Sequence, residues 1–476
     1  MNIKKNRAVV MRVVAYATII ILSVITTALL LFVALGYRFN RDGEVVKSGL
    51  LLVDNKPEAA QIYIDGKLED GSSPGRFVLP TRSYELSLER TGYIGWKRQL
   101  TILPQTVLQV RYPILIPEKL TTEALVDIQK PQTITQADNN KQLVYHVANE
   151  SNLRRIVLDP VQPEISIVTL PNTVTREGGS LGTVTFIDWS LNGKHVLAQQ
   201  TLPSGAVHML SIDVDNPDRT VDMTAAFAAA PPSDITYVDN ETRIIYGLHE
   251  GTLRRYNIED STTELVAERI LSFRSYGDDL LALTRLSEDG TQVEVTVQRG
   301  ETEAVLETFA DTAARPEIAY AEYDSDAYLV VASSDQKLAR VYKDPLSKPI
   351  LKRQIPFVLL PIESVETIKF SPNNQYVYLR SGQTVLTYDF ENTRANTITL
   401  ADTVSGDVTW MNGSHLAFQS DNLTNHLLDF DGNYNNEIVT SDAGVRLFYS
   451  QDLESAYRII SNTQATVLER VPLVAE

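Results

Sequence analysis

Three patterns in this chain carry residue types that do chemistry, and each needs a particular setting to do it. Gly178-Gly179-Ser180-Leu181-Gly182 matches G-x-S-x-G, the turn on which hydrolases expose a nucleophilic serine between a strand and a helix. Here Glu177 and a glycine pair precede the serine, and Thr183-Val184-Thr185-Phe186 reads as a strand, so a flexible loop between strands is expected. The six histidines, His146, His195, His208, His249, His415 and His426, are scattered without the H-E-x-x-H spacing that brings two imidazoles to one zinc ion. Asp213, Asp215 and Asp218, and the run Asp429-Phe430-Asp431-Gly432-Asn433-Tyr434-Asn435, place hard oxygens at alternate positions as calcium loops do. Neither run has the closing glutamate, and Asp, Asn and Gly are also the residues of β-turns. Carboxylate pairs for glycoside hydrolysis are not readable from a sequence, because the pair must face each other in space. The expectation is therefore no catalytic, cofactor-binding or metal-binding residue and no cofactor.

The elements that hold these residues repeat. Trp189-Ser190-Leu191-Asn192-Gly193-Lys194-His195-Val196-Leu197 returns as Trp410-Met411-Asn412-Gly413-Ser414-His415-Leu416-Ala417, one residue shorter. A third copy is Ile368-Lys369-Phe370-Ser371-Pro372-Asn373-Asn374-Gln375-Tyr376-Val377. Each reads as strand, tight turn, strand, and His195 and His415 fall at one position of the repeat, which points to a structural role. Weaker copies occupy residues 133–146, 235–246, 270–283, 318–331 and 446–460, with turns at Asp138-Asn139-Asn140, Asp239-Asn240, Gly277-Asp278, Asp324-Ser325-Asp326 and Gln451-Asp452. These units start about 37 to 51 residues apart, the period of a four-stranded propeller blade. Eight blades are expected over residues 118–476, with seven as the alternative. Leu125-Val126-Asp127-Ile128 would supply the outer strand of the last blade, beside Thr466-Val467-Leu468. The Phe-Ser-Pro-Asn-Asn and Trp-Ser-Leu-Asn-Gly pieces resemble the repeats of TolB-type bacterial propellers.

Residues 49–117 switch to short alternating strands with turn signals at Asp65-Gly66 and Pro74-Gly75, the pattern of a small all-β module. Pro57-Glu58-Ala59-Ala60, Ile62-Tyr63-Ile64-Asp65-Gly66-Lys67, Ser73-Pro74, Tyr84, Gly92-Tyr93 and Trp96 resemble the PEGA domain of bacterial and archaeal surface proteins. That resemblance implies an extracytoplasmic accessory or adhesive role and transfers no catalytic residue. Ala59 stands where the motif has glycine, a departure that matters if the position needs a positive φ. Tyr63, Tyr93 and Trp96 are expected to fill this small core rather than to form a sugar-stacking platform.

Residues 13–37 carry no charge and as a helix would run about 37 Å, enough to cross a hydrocarbon core of about 30 Å. Lys4, Lys5, Arg7 and Arg12 precede this run without an acid, whereas Arg38 and Arg41 after it are offset by Asp42 and Glu44. The positive-inside bias puts residues 1–12 in the cytoplasm, makes 13–37 an uncleaved single-pass plasma-membrane anchor and 38–48 a linker, and leaves the bulk of the chain extracytoplasmic. Ala34-Leu35-Gly36 would suit a signal peptidase, but the apolar run is longer than a signal-peptide core. The formal charge of −17, more acidic still outside the N-terminal twelve residues, disfavours nucleic acid, anionic headgroups and anionic wall polymers. Cysteine is absent, so stability must come from a large core or a closed architecture. The chain thus reads as an all-β, membrane-anchored, non-catalytic protein whose propeller recognises a protein or envelope component. The alternative is a propeller-type glycosidase or lyase acting on surface carbohydrate.

Overall fold

The computed structural model describes residues 3–34, 37–39, 45–159, 161–227, 231–238, 241–277, 279–333, 336–347 and 350–474. The expected turn at Asp239-Asn240, the residue Asp278, the helix end at Leu35-Gly36 and the linker residues 40–44 lie outside them. Two units form, one of residues 1–119 with 474–476 and one of Leu120–Leu473.

The first unit opens with a helix over Ile3–Ala34, α1. Its apolar stretch Val14–Phe32 is long enough to cross a membrane and is exposed along its length up to Phe32, whose ring stacks on Tyr37 at 5.4 Å. Thr18 and Thr26 return their hydroxyls to the carbonyls of Val14 and Leu22 at 2.9 and 2.8 Å, so neither presents a bare donor to an apolar surrounding. The β-module has two four-stranded sheets. In one, the parallel pairing of Val45–Val53 with Val107–Val110 sits beside the antiparallel pairing with Gly75–Pro80. The other runs in the order Lys67–Ser72, Gln61–Ile64, Ser83–Glu89, Trp96–Thr101. Alternate residues Ile62, Ile64, Tyr84, Leu86 and Leu88 are buried, as period-two patterning requires. Trp96 and Tyr93 belong to this core at 1% and 7% exposure, and Tyr63 is half-buried, so the three rings form no open platform. Ala59 does adopt the left-handed conformation, at φ 67°.

Among the described residues the second unit contains eight four-stranded antiparallel sheets, one for each repeat unit, which is the expected eight rather than seven. Each of the first seven is a meander of consecutive strands. The first runs Thr133–Gln136, Gln142–His146, Leu153–Val157, Glu164–Val168, and the sixth runs Thr367–Phe370, Tyr376–Ser381, Thr384–Asp389, Arg394–Thr399. The eighth takes Phe448–Tyr449, Ser455–Ser461 and Thr466–Pro472 and borrows Glu123–Ile128 as its outermost strand. This is the strand partner expected from the sequence, in a register that pairs Thr466 with Ile128, Val467 with Asp127 and Leu468 with Val126.

Repeat chemistry explains the blade geometry. In the turn after the first strand, a serine hydroxyl donates to an Asn or Asp side chain two residues on and accepts the backbone N–H five residues on. Ser190 does so with Asn192 at 2.9 Å and His195 at 2.9 Å, Ser371 with Asn373 at 2.7 Å and Tyr376 at 3.0 Å, and Ser450 with Asp452 at 2.5 Å and Ser455 at 3.0 Å. Apolar residues on both faces of the middle strands then meet those of the next blade. One such core joins Val330, Val341 and Leu360 of blade five to Val377, Leu379 and Leu386 of blade six. At the seam, Leu143, Tyr145 and Ile156 of blade one meet Phe448, Tyr457, Ile459 and Leu468 of blade eight, with Ile128 from the closing strand.

Two expected outcomes follow from this packing. Leu468→Ala, which empties a fully buried position at the seam, should cost about 3 kcal/mol, read as an earlier midpoint in urea unfolding of the propeller. Ala59→Gly relieves a left-handed alanine and should stabilise the β-module by about 0.5–1 kcal/mol after the extra unfolded-state entropy of glycine is counted, measured as the shift of that module's own transition.

Candidate functional site

The first strands of neighbouring blades lie against one another and surround a central channel. Side chains bridge them around the ring. Gln136 Nε2 donates to the Tyr449 carbonyl at 2.7 Å and its Oε1 accepts the Tyr449 N–H at 3.2 Å, a two-bond clasp between blades one and eight. Trp189 Nε1 donates to Thr135 Oγ1 at 3.0 Å, and Trp410 Nε1 to the Lys369 carbonyl at 3.1 Å. Asp188 Oδ2 accepts the Thr236 hydroxyl at 2.7 Å and the Tyr237 N–H at 3.2 Å, while its Oδ1 accepts the Trp189 N–H at 2.9 Å.

Two cavities occupy the channel. One of about 930 Å³ opens among the turns that follow the first strands, including Asp138-Asn139-Asn140 and Met411-Asn412-Gly413. The other, about 330 Å³, lies among the segments that lead into the first strands of blades seven and eight, Ser405-Gly406-Asp407 and Gly444-Val445-Arg446. Lys369, Thr409 and Arg446 line both, which puts them where the two adjoin.

Charges gather here. Arg274 is held by Asp234 at 3.2 Å and approaches Glu317 at 3.9 Å, and Asp407 lies 3.9 Å from Arg380. Asp188 is occupied as described. Lys369, Arg446 and Asp138 have side chains that make no hydrogen bond or ion pair within the described residues. All three are open to water, yet the channel wall encloses Asp138 and Lys369 on most sides. For Asp138, this enclosure and then the Asp188 carboxylate push the pKa up to about 6, with Arg446 opposing. The ammonium of Lys369 is pushed below its usual range, first by burial and then against Asp407 by the like charges of Arg446 and Arg274. Glu317 is raised by burial, with Arg274 opposing.

The residues singled out in the sequence lie elsewhere. Ser180 sits in a tight two-residue turn, not a flexible loop. Glu177 and Ser180 exchange both backbone bonds at 3.0 Å across Gly178 and Gly179, whose φ values of 61° and 84° exclude a side chain without strain. The strand Thr183–Trp189 follows it, so the serine lacks the strand-turn-helix setting of a nucleophile. His195 and His415 both begin the second strand of a blade, opposite Asp213 and Asp429. The His415 ring is buried with Nε2 3.3 Å from Asp429 Oδ1 and Nδ1 2.9 Å from Asn412 Oδ1. The other four histidines are dispersed. His146 bonds Gln132, His208 bonds Asp222 at 2.7 Å, His249 lies 3.9 Å from Glu250, and His426 stacks on Phe418. The acidic runs cap hairpins. Asp213 Oδ1 accepts the N–H groups of Asp215 and Asn216 at 3.1 and 2.8 Å, Asp431 Oδ1 accepts that of Asn433 at 3.2 Å, and Asp215 pairs with Arg155 at 3.0 Å.

The channel groups had a signal in the sequence that motif reading passes over. The residue before the aromatic of each repeat copy, Asp188 before Trp189, Lys369 before Phe370 and Thr409 before Trp410, faces the channel. Asp138 belongs to a turn, as its neighbours Asn139 and Asn140 suggest, and that turn stands at the channel mouth.

Residues 48–115 match the model of the PEGA domain. No curated protein matches the chain. Among solved structures, an oligogalacturonate lyase in complex with manganese is 10% identical with a TM-score of 0.40, covering 75% of this chain and 98% of its own. Oligogalacturonate lyase from Vibrio parahaemolyticus is 9% identical with a TM-score of 0.40 over 74% and 97%. The β-propeller domain of Cps50 from Myceliophteria thermophila is 12% identical with a TM-score of 0.40 over 64% and 96%.

The raised pKa of Asp138 fixes the sign of a stability effect. The folded chain holds that proton more tightly than the unfolded chain, so the stabilisation this proton brings is complete below about pH 4 and is lost as pH rises through about 6. Asp138→Asn should therefore raise the thermal unfolding temperature of the full-length protein at pH 7.5 and give a smaller difference at pH 4.

Proposed function

We propose that this chain is a membrane-anchored, non-catalytic binding protein. Its apolar helix spans the plasma membrane with the N-terminus in the cytoplasm, because Lys4, Lys5, Arg7 and Arg12 precede that helix without an acid. The PEGA module and the propeller stand outside, and the propeller recognises a protein or envelope component at the channel mouth formed by the turns after the first strands. The observation that carries this reading is the water-open channel of about 930 Å³ with Lys369, Arg446 and Asp138 directed at it and unpaired within the described residues. Concave sites with a few convergent polar groups are where ligands bind.

One observation favours a second reading, a glycosidase or lyase for surface carbohydrate. A carboxylate held at about 6 is suited to proton transfer near neutral pH. Against it, the carboxylate that acts on Asp138, Asp188, already accepts three hydrogen bonds and is poorly placed to serve as a free partner in two-carboxylate hydrolysis.

The test is a crosslinking pull-down from intact membranes with the full-length protein, using a chain truncated after Pro117 as control. Partners captured by the full chain and lost with the truncation would support the propeller as recognition module. Retention of the same partners would move binding to the PEGA module or the helix. Shortening of surface polysaccharide by the purified protein, abolished by Asp138→Asn, would replace the binding reading with the enzymatic one.

A further inference from the structure

Three cations approach the channel axis from alternate blades, Arg274 from blade four, Lys369 from blade six and Arg446 from blade eight. Convergence of like charges is unfavourable, and it stands out in a chain whose formal charge is −17. Arg274 has its compensation in Asp234 and Glu317. Lys369 and Arg446 have no such partner within the described residues, and both line the smaller and the larger cavity, so they face the same passage from two blades. Asp407 acts on Lys369 from the segment entering blade seven, and Asp138 on Arg446 from the first turn of blade one, each without a direct ion pair to it.

We propose that Lys369 and Arg446 form an anion-binding pair that takes a carboxylate of an acidic peptide segment entering the channel from the larger cavity. This rests on the reading of the propeller as a binding module and names the chemistry of what it binds. A cavity of about 930 Å³ admits a few residues of extended chain and not a folded domain, so the recognised element is a segment. Peptide is favoured over acidic glycan by the state of the aromatic rings around the mouth. Tyr320 is edge-on to Tyr276 at 5.2 Å, Phe370 stacks on Phe390 at 5.7 Å, and Trp410 leans on Tyr376 and Tyr378 at 6.2 and 5.8 Å. These rings are spent on one another and offer a poor stacking platform for a sugar, whereas Leu191 at the same mouth is 61% exposed and suits an aliphatic side chain. The guanidinium of Arg446 supplies a planar fork for a carboxylate, and the Lys369 ammonium supplies a point charge beside it.

Trp410 lines the larger cavity and gives the readout, since Trp96 and Trp189 are buried. Full-length protein in detergent micelles is titrated with a hexa-glutamate peptide, and Trp410 emission is followed at low salt and at 0.5 M salt. Saturable binding is expected, weakened by salt, and reduced about tenfold or more by Lys369→Met or by Arg446→Met, the loss of one charge-assisted bond. Asp138→Asn removes a negative charge from the same passage and is expected to tighten hexa-glutamate binding, a gain that a misfolded variant would not give. No saturable response, affinity unchanged in all three variants, or tighter binding of a hexa-lysine peptide would overturn the proposal. Tighter binding of a galacturonate hexamer or of inorganic phosphate than of hexa-glutamate would overturn its assignment to peptide. Because the titration uses purified protein and a synthetic probe, it can fail while the pull-down still assigns partners to the propeller, so the two readings fall separately.

Discussion

The closing strand is the constraint on which the large domain depends. Eight sheets arranged around an axis are stable as a ring when the last is joined to the first, and here Glu123–Ile128 makes that join by completing the sheet of Ser455–Ser461 and Thr466–Pro472. The pairing satisfies the open edge of Thr466–Pro472 and brings Ile128 into the seam between blades eight and one. The Gln136 amide fastens the same seam from the channel side with two buried bonds to Tyr449. Without a cysteine in the chain, closure rests on this pairing and packing and on no covalent staple.

Closure also explains how an acidic protein holds cations at its centre. The first strands line the channel, where Lys369 and Thr409 stand beside the aromatics Phe370 and Trp410 that follow them, so one recurring spacing delivers a variable chemical group to the axis. Some of those groups are consumed in stitching the ring, as Asp188 is by Thr236 and Tyr237. Lys369 and Arg446 are left over.

Much of this architecture was legible from local chemistry. Ser-x-Asn or Ser-x-Asp turns mark blades two, six and eight, turns rich in Asp, Asn and Gly mark most of the rest, and the apolar run at Leu125-Val126-Asp127-Ile128 has no partner nearer than the C-terminal repeat. The small β-module was legible because Asp65-Gly66 and the alternation around Ile62 and Leu86 are decided within a few residues. The site was not legible, because Lys369 and Arg446 meet across blades six and eight through the curvature of the whole ring. Local spacing is ambiguous by itself: the alternate oxygens of Asp213 and Asp215 look like a cation loop, but one caps a hairpin and the other pairs with Arg155. Gly178-Gly179-Ser180 carries the letters of a nucleophile elbow, yet the two glycines serve a tight hairpin turn.

The strand that completes blade eight is also the strand by which the propeller is attached to the preceding module, since the chain enters the ring at Glu123. Any pull between the N-terminal part of the chain and something gripped in the channel is therefore transmitted to the outermost ladder of the last sheet, beginning at the pairing of Glu123 with Arg470. Hydrogen bonds loaded from one end open in sequence rather than together. A mechanical load on the N-terminal part of the chain would therefore reach this ladder before it reached the other seven blades.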